Sequence, residues 1–139
     1  MNKAQKNIFL HFVYLVLIIV LFAIGSDMLT EYRAEARTRF EHNLYYETAV
    51  LILCFGGIGV VLGLSGLKRS RGGRIGLNKS KLLLLALPSL LVTISPLLAH
   101  FGVFDFYESL YEYILEHHDI TMVSSIIFGH SFFTSFVKK

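Results

Sequence analysis

No Asp, Glu, Lys or Arg lies inside the four long apolar runs of this sequence, at residues 8–25, 48–67, 82–103 and 120–137. That absence argues against carboxylate proton relays, charged ion pathways and most ion-coupled transport, which need an ionisable group within the membrane. Cysteine occurs once, as Cys54, so no intramolecular disulfide can form, and the residue reads as a small packing side chain. There is no Cys-x-x-Cys pair for zinc or iron–sulfur ligation, no glycine-rich phosphate loop and no Gly-x-Ser-x-Gly elbow. The large enzyme classes find no motif here, so no catalytic residue is assigned and no cofactor is expected.

What the sequence has in excess is apolar surface. A hydrophobic content of 54% over 139 residues, with mean hydropathy +0.59, exceeds what one soluble domain of this size can bury. The excess must face lipid. Each run approaches the ~20 residues that a helix rising ~1.5 Å per residue needs to cross a hydrocarbon core of about 30 Å. The expected fold is all-α, a polytopic integral membrane protein forming one domain over residues 1–139. It has four transmembrane helices, at the four runs above, and two amphipathic external helices.

Charge segregation gives the expected topology. Lys68, Arg69, Arg71, Arg74, Lys79 and Lys81 share one connector, 68–81, that holds no acid, whereas Asp105, Glu108, Glu112, Glu116 and Asp119 share another without Lys or Arg. The positive-inside bias then places the Lys3/Lys6 end, the 68–81 loop and Lys138-Lys139 in the cytoplasm, N-in and C-in, with 26–47 and 104–119 outside. The six basic side chains of the loop are expected to rest on anionic lipid headgroups, and nucleic acid is not needed to account for them. A rival reading makes the first run a cleaved signal peptide, because Ala23-Ile24-Gly25-Ser26 carries suitably spaced small residues. The run is long for a signal core, which favours an anchor. The membrane expected from size and targeting pattern is a bacterial cytoplasmic one.

Beyond Gly25, Ser26-Asp27 reads as the cap of a new helix, with Leu29, Tyr32, Ala36, Phe40 and Leu44 on its apolar, membrane-facing side. Its other face is charged, and Glu35–Arg39 and Arg37–Glu41 stand at i,i+4, where pairs meet. In the second run Gly56, Gly59, Gly63 and Gly66 share one face, and Gly59-x-x-x-Gly63 matches the small-xxx-small association pattern. That face is expected to be a helix-packing interface, either for a partner or second copy or for a helix of the same chain. Gly57 lies off it.

In the third run Ser89, Thr93, Pro96 and His100 recur at helical spacing as a polar seam, and Pro88 and Pro96 each free a carbonyl one turn earlier. The fourth run is the least apolar; Thr121, Ser124, Ser131 and Ser135 form a stripe that would be covered by the third helix. The acidic segment 104–119 reads as a second external helix lying along the interface.

Three histidines, His11, His100 and His130, are the intramembrane ionisable residues. His11 and His130 fall at similar depth near the cytoplasmic edge, where neighbouring first and last helices would bring them together, so a bis-His haem is a minor alternative. His100 with His117-His118-Asp119 offers metal-type ligands, but adjacent histidines on a helix point about 100° apart, and a polar turn explains them better. The leading expectation is a non-enzymatic accessory, assembly or regulatory subunit acting through helix contacts with another membrane protein or with itself. The alternative is a small transporter or channel component lined by the hydroxyls of the third and fourth runs.

Overall fold

The computed structural model describes residues 3–39, 43–66, 77–102, 113 and 117–136, and among these the chain is helical with no strand. The first helix, α1, runs unbroken over Lys3–Arg39. At 1.5 Å per residue its 37 residues span about 55 Å, well beyond a bilayer core. The helix start expected at Ser26-Asp27 is therefore absent. Gly25 is buried where α1 crosses the next helix, and a Cβ there would stand 2.7 Å from the Cys54 Cβ and 3.0 Å from Phe55 Cε2. The small residues that resemble a helix end in the sequence instead permit a close crossing.

The second helix, α2 (44–66), begins behind Asn43, whose side chain accepts the Tyr46 N–H at 3.4 Å. It runs through Leu44–Val50, widens to a π-helical segment at Leu51–Phe55 and continues as Gly56–Gly66. The third, α3 (79–93), repeats the device: Asn78 caps it through the Lys81 N–H at 3.3 Å, and a π segment at Leu82–Ala86 precedes Leu87–Thr93. The second π segment has a local cause. Pro88 lacks an N–H and its ring would meet the Leu84 carbonyl in a regular α-helix, so the turn before it opens. The chain breaks at Ile94 (φ −91°, ψ 4°) and resumes as α4, Ser95–His100. The last helix, α5, covers His118–Ser135.

Helix directions follow from side-chain neighbours. Arg33 meets Glu47, Gly25 meets Cys54, and Leu21 meets Gly57, so α1 and α2 are antiparallel. Leu51 meets Ser125 and Gly63 meets Phe133, so α2 and α5 are parallel. The Asn78 N–H donates to the Ser135 carbonyl at 2.9 Å, and α4 packs on the first turns of α2, so α3 and α4 return against α5. The fourth apolar run, the most polar of the set, thus occupies the centre, with α2 on one side and α3 on the other, while α1 leans on α2.

The core gathers Leu29, Val50, Leu51, Phe55 and Ile58 around the π segment of α2. Leu29 lies on the charged half of α1, where burial removes it from water and stabilises by about 2 kcal/mol. The other four belong to α2, a helix apolar enough to cross a membrane, and in a bilayer such residues are stabilised by van der Waals packing and not by exclusion of water.

Among the described residues two helices are long and apolar enough to cross a membrane, α1 and α2. The face of α1 expected to lie on the membrane instead covers protein: Leu29 and Ala36 are buried, Tyr32 is half-buried, and its ring lies 5.1 Å from that of Tyr46 on α2. Phe40 and the acidic segment 104–112 lie outside the described residues, as do Lys68, Arg69, Arg71 and Arg74. Lys79 is exposed and Lys81 half-buried in the first turn of α3.

Candidate functional site

The glycine face of α2 is filled from within the chain. Gly56, Gly59 and Gly63 are buried against α5, and a Cβ on Gly59 would land on the Ile126 carbonyl oxygen and 2.6 Å from the His130 nitrogen. One on Gly63 would meet Phe133 Cδ1 at 3.0 Å. The seam is reciprocal, because a Cβ on Gly129 of α5 would run into the Gly56 carbonyl group. Gly66 closes α2 without described surroundings.

Among the described residues one side-chain hydrogen bond crosses this contact. Ser125 Oγ donates to the Leu51 carbonyl at 2.6 Å, at the mouth of the π segment, where the carbonyl also receives the Gly56 N–H. Ser125 is fully buried, whereas Ser124, which the stripe pattern selects, is only half-buried. Thr121, Ser131 and Ser135 are buried, and Ser135 Oγ donates to the Ser131 carbonyl at 2.6 Å.

On α3 and α4, Ser89, Thr93 and Pro96 are buried, while His100 is exposed. The hydroxyls serve the helix itself: Ser89 Oγ donates to the Leu85 carbonyl at 2.6 Å and Thr93 Oγ1 to the Ser89 carbonyl at 2.8 Å. Ser95 Oγ donates at 2.7 Å to the Val92 carbonyl, the group that Pro96 leaves without its helical donor. Ser95 thus answers the need created by Pro96, whereas Ser89 and Thr93 bond carbonyls that neither proline deprives of a donor.

The histidines are dispersed. His11 is exposed on α1, 6.5 Å from the Tyr14 ring, whereas His130 lies on α5 with its Nδ1 buried and unpartnered among the described residues. His117 stacks on Tyr113 at 4.3 Å. No group of three or more His, Cys, Asp or Glu side chains among the described residues is arranged to hold a metal.

The end of the molecule where α1 hands over to α2 holds a charged group that the spacing patterns do not reveal. Arg33 donates through Nε at 3.1 Å and Nη2 at 2.8 Å to Glu47 Oε1, with side-chain exposures of 19% and 9%. The two residues lie fourteen apart on different helices, beyond any i,i+4 rule; the one available signal was a carboxylate, Glu47, at the edge of an apolar run. His118, at the start of α5, feels the same group. Burial first, and then the Arg33 guanidinium, hold its imidazole below the usual histidine range, with Arg37 acting in the same sense and Glu47 and Asp119 against it. Beside this cluster opens a cleft of about 360 Å³ lined by Met28, Glu31, Tyr32, Glu35, Asn43 and Tyr46. Glu35 pairs with Arg39 at 3.2 Å on the exposed side, as its spacing predicts.

No family model, no curated protein and no solved structure matches the chain.

Proposed function

We propose that the chain is a four-span integral membrane protein, N-in and C-in, which acts without chemistry of its own as an accessory, assembly or regulatory subunit through helix contacts. The observation that carries this reading is the bare flank of α1. Over its most apolar window only 6% is buried, against 50% for α2, and Ile8, Phe9, Phe12, Leu15 and Ile19 all face outward. The glycine seam is occupied by α5, and α1, whose apolar window is the barer of the two long helices, is the docking face proposed for a partner helix. Alternating helix directions support the four-span reading, since Lys3, Gly66, Lys79 and Ser135 fall at one end, where the positive-inside bias asks for the basic segments. There Lys68, Arg69, Arg71 and Arg74 would meet anionic headgroups.

The alternative, a transporter or channel component, would draw on Ser89, Thr93, Ser131 and Ser135. The hydroxyls of Ser89, Thr93 and Ser135 bond to carbonyls of their own helices, which favours packing over a conduit. Photocross-linking tests the leading reading. A photoreactive side chain at Phe9 or Phe12 in native membranes is expected to give one discrete protein adduct, and the same group at Leu53, exposed on α2, only lipid adducts. Lipid adducts alone from all three positions would contradict it.

A further inference from the structure

The cleft between α1 and the start of α2 combines features that a helix contact does not require. Its volume of about 360 Å³ is enough for a small molecule, within the range of roughly 300–1,000 Å³ usual for such sites. Two tyrosine rings, Tyr32 from α1 and Tyr46 from α2, lie 5.1 Å apart at 41° and give it aromatic walls. Met28 adds an apolar, polarisable surface. Glu31 and Glu35 stand one turn apart on α1, and both line the space.

The charge there is unbalanced. Glu35 is offset by Arg39 and Glu47 by Arg33, whereas Glu31 has no ion pair among the described residues. A carboxylate beside aromatic rings selects a soft, weakly hydrated cation over a compact one, because the ring quadrupole attracts positive charge while apolar walls penalise a tightly held hydration shell. Asn43 adds a neutral amide, which suits a polar substituent on that cation.

The geometry points to an organic ammonium site: the cleft binds a methylated, quaternary ammonium group against the Tyr32 and Tyr46 rings, with Glu31 as its counter-ion. The same chemistry is carried by free quaternary amines and by the choline headgroups of zwitterionic lipids. The cleft lies on the charged part of α1, beyond the 8–25 run, at the level where headgroups would stand.

The test uses the full chain in an uncharged detergent, with tetramethylammonium and, separately, a short-chain phosphatidylcholine as probes followed by ligand-observed NMR at fixed ionic strength. Saturable binding of tetramethylammonium, weakened on the order of fivefold by both Glu31→Gln and Tyr46→Leu, is the expected result for a free ammonium ligand. Both side chains are exposed enough for the variants to keep the fold, which unchanged circular dichroism would verify. Saturable binding of the phosphatidylcholine alone, with the same sensitivity to both variants, assigns the site to a lipid headgroup. No saturable binding of either probe, binding indifferent to both variants, or equal displacement by potassium would overturn the proposal.

Discussion

At the scale of single residues, the Arg33–Glu47 pair makes the clearest demand. Glu47 is the more buried partner, so Arg33→Ala leaves a carboxylate with little access to water and no counter-ion. The pair is not fully enclosed, and the expected loss is about 1–3 kcal/mol, less than for a wholly buried pair. It is measurable as a lower thermal midpoint in detergent, and Arg33→Leu with Glu47→Leu together should recover most of it. Glycines make a second contrast. Gly59→Ala forces a methyl into the backbone of α5 and should cost about 2–3 kcal/mol. Gly57→Ala meets only the Leu21 Cδ1 at 3.6 Å and should be neutral, or stabilising by about 0.5 kcal/mol, because alanine favours the helix. The same melting experiment separates them.

His118 adds a pH dependence. Its folded pKa lies below the ordinary value of 6.5, so the native state prefers the neutral imidazole. Its contribution to stability is complete above that value and is lost as pH falls through the lower, folded value. Thermal midpoints measured downward from pH 7 should therefore decline more steeply in the parent than in His118→Gln.

At the scale of elements, each irregularity has a side chain assigned to it. Ser125→Ala removes the one hydroxyl joining α5 to the π segment of α2, and a loss of about 1 kcal/mol is expected, typical of an interhelical bond in a membrane. Ser95→Ala takes the hydroxyl from the Val92 carbonyl, which keeps a backbone N–H at the helix end, and should cost about 1 kcal/mol. In a Pro96→Ala background, where residue 96 regains its N–H, that cost should shrink, and a double-mutant cycle measures the difference. The position of Pro96 marks in the sequence a carbonyl, that of Val92, which needs another donor, and Ser95 supplies one. The π segment at Leu51–Phe55 has no such marker, because no proline follows it and its widened turn is matched to Ser125, 74 residues away. Gly25-Ser26-Asp27 misled for a related reason. A glycine followed by capping residues reads as a helix end, yet a glycine that admits Cys54 has the same composition.

At the scale of the molecule, periodicity anticipated an all-helical chain with four glycines on one face, but neither the unbroken passage of α1 through Ser26-Asp27 nor which helix packs on that face. Lining up α2 with α5 depends on Gly56 and Gly129 approaching backbone to backbone, a match between sequence positions 73 residues apart that no local pattern encodes. The polar stripe of the fourth run carried a partial signal, since hydroxyls and a glycine at helical spacing favour a central, two-sided position. With that position taken by α5, the glycine face of α2 is closed within the chain and α1 is left far barer than α2, and the proposed function rests on this. The most direct measurement is the mass and composition of the particle extracted from native membranes in mild detergent. The account predicts this chain in fixed stoichiometry with a second protein, released when Phe9 and Phe12 on α1 are replaced by polar residues. A particle containing this chain alone, as monomer or homo-oligomer, would contradict the accessory-subunit reading and shift attention to transport.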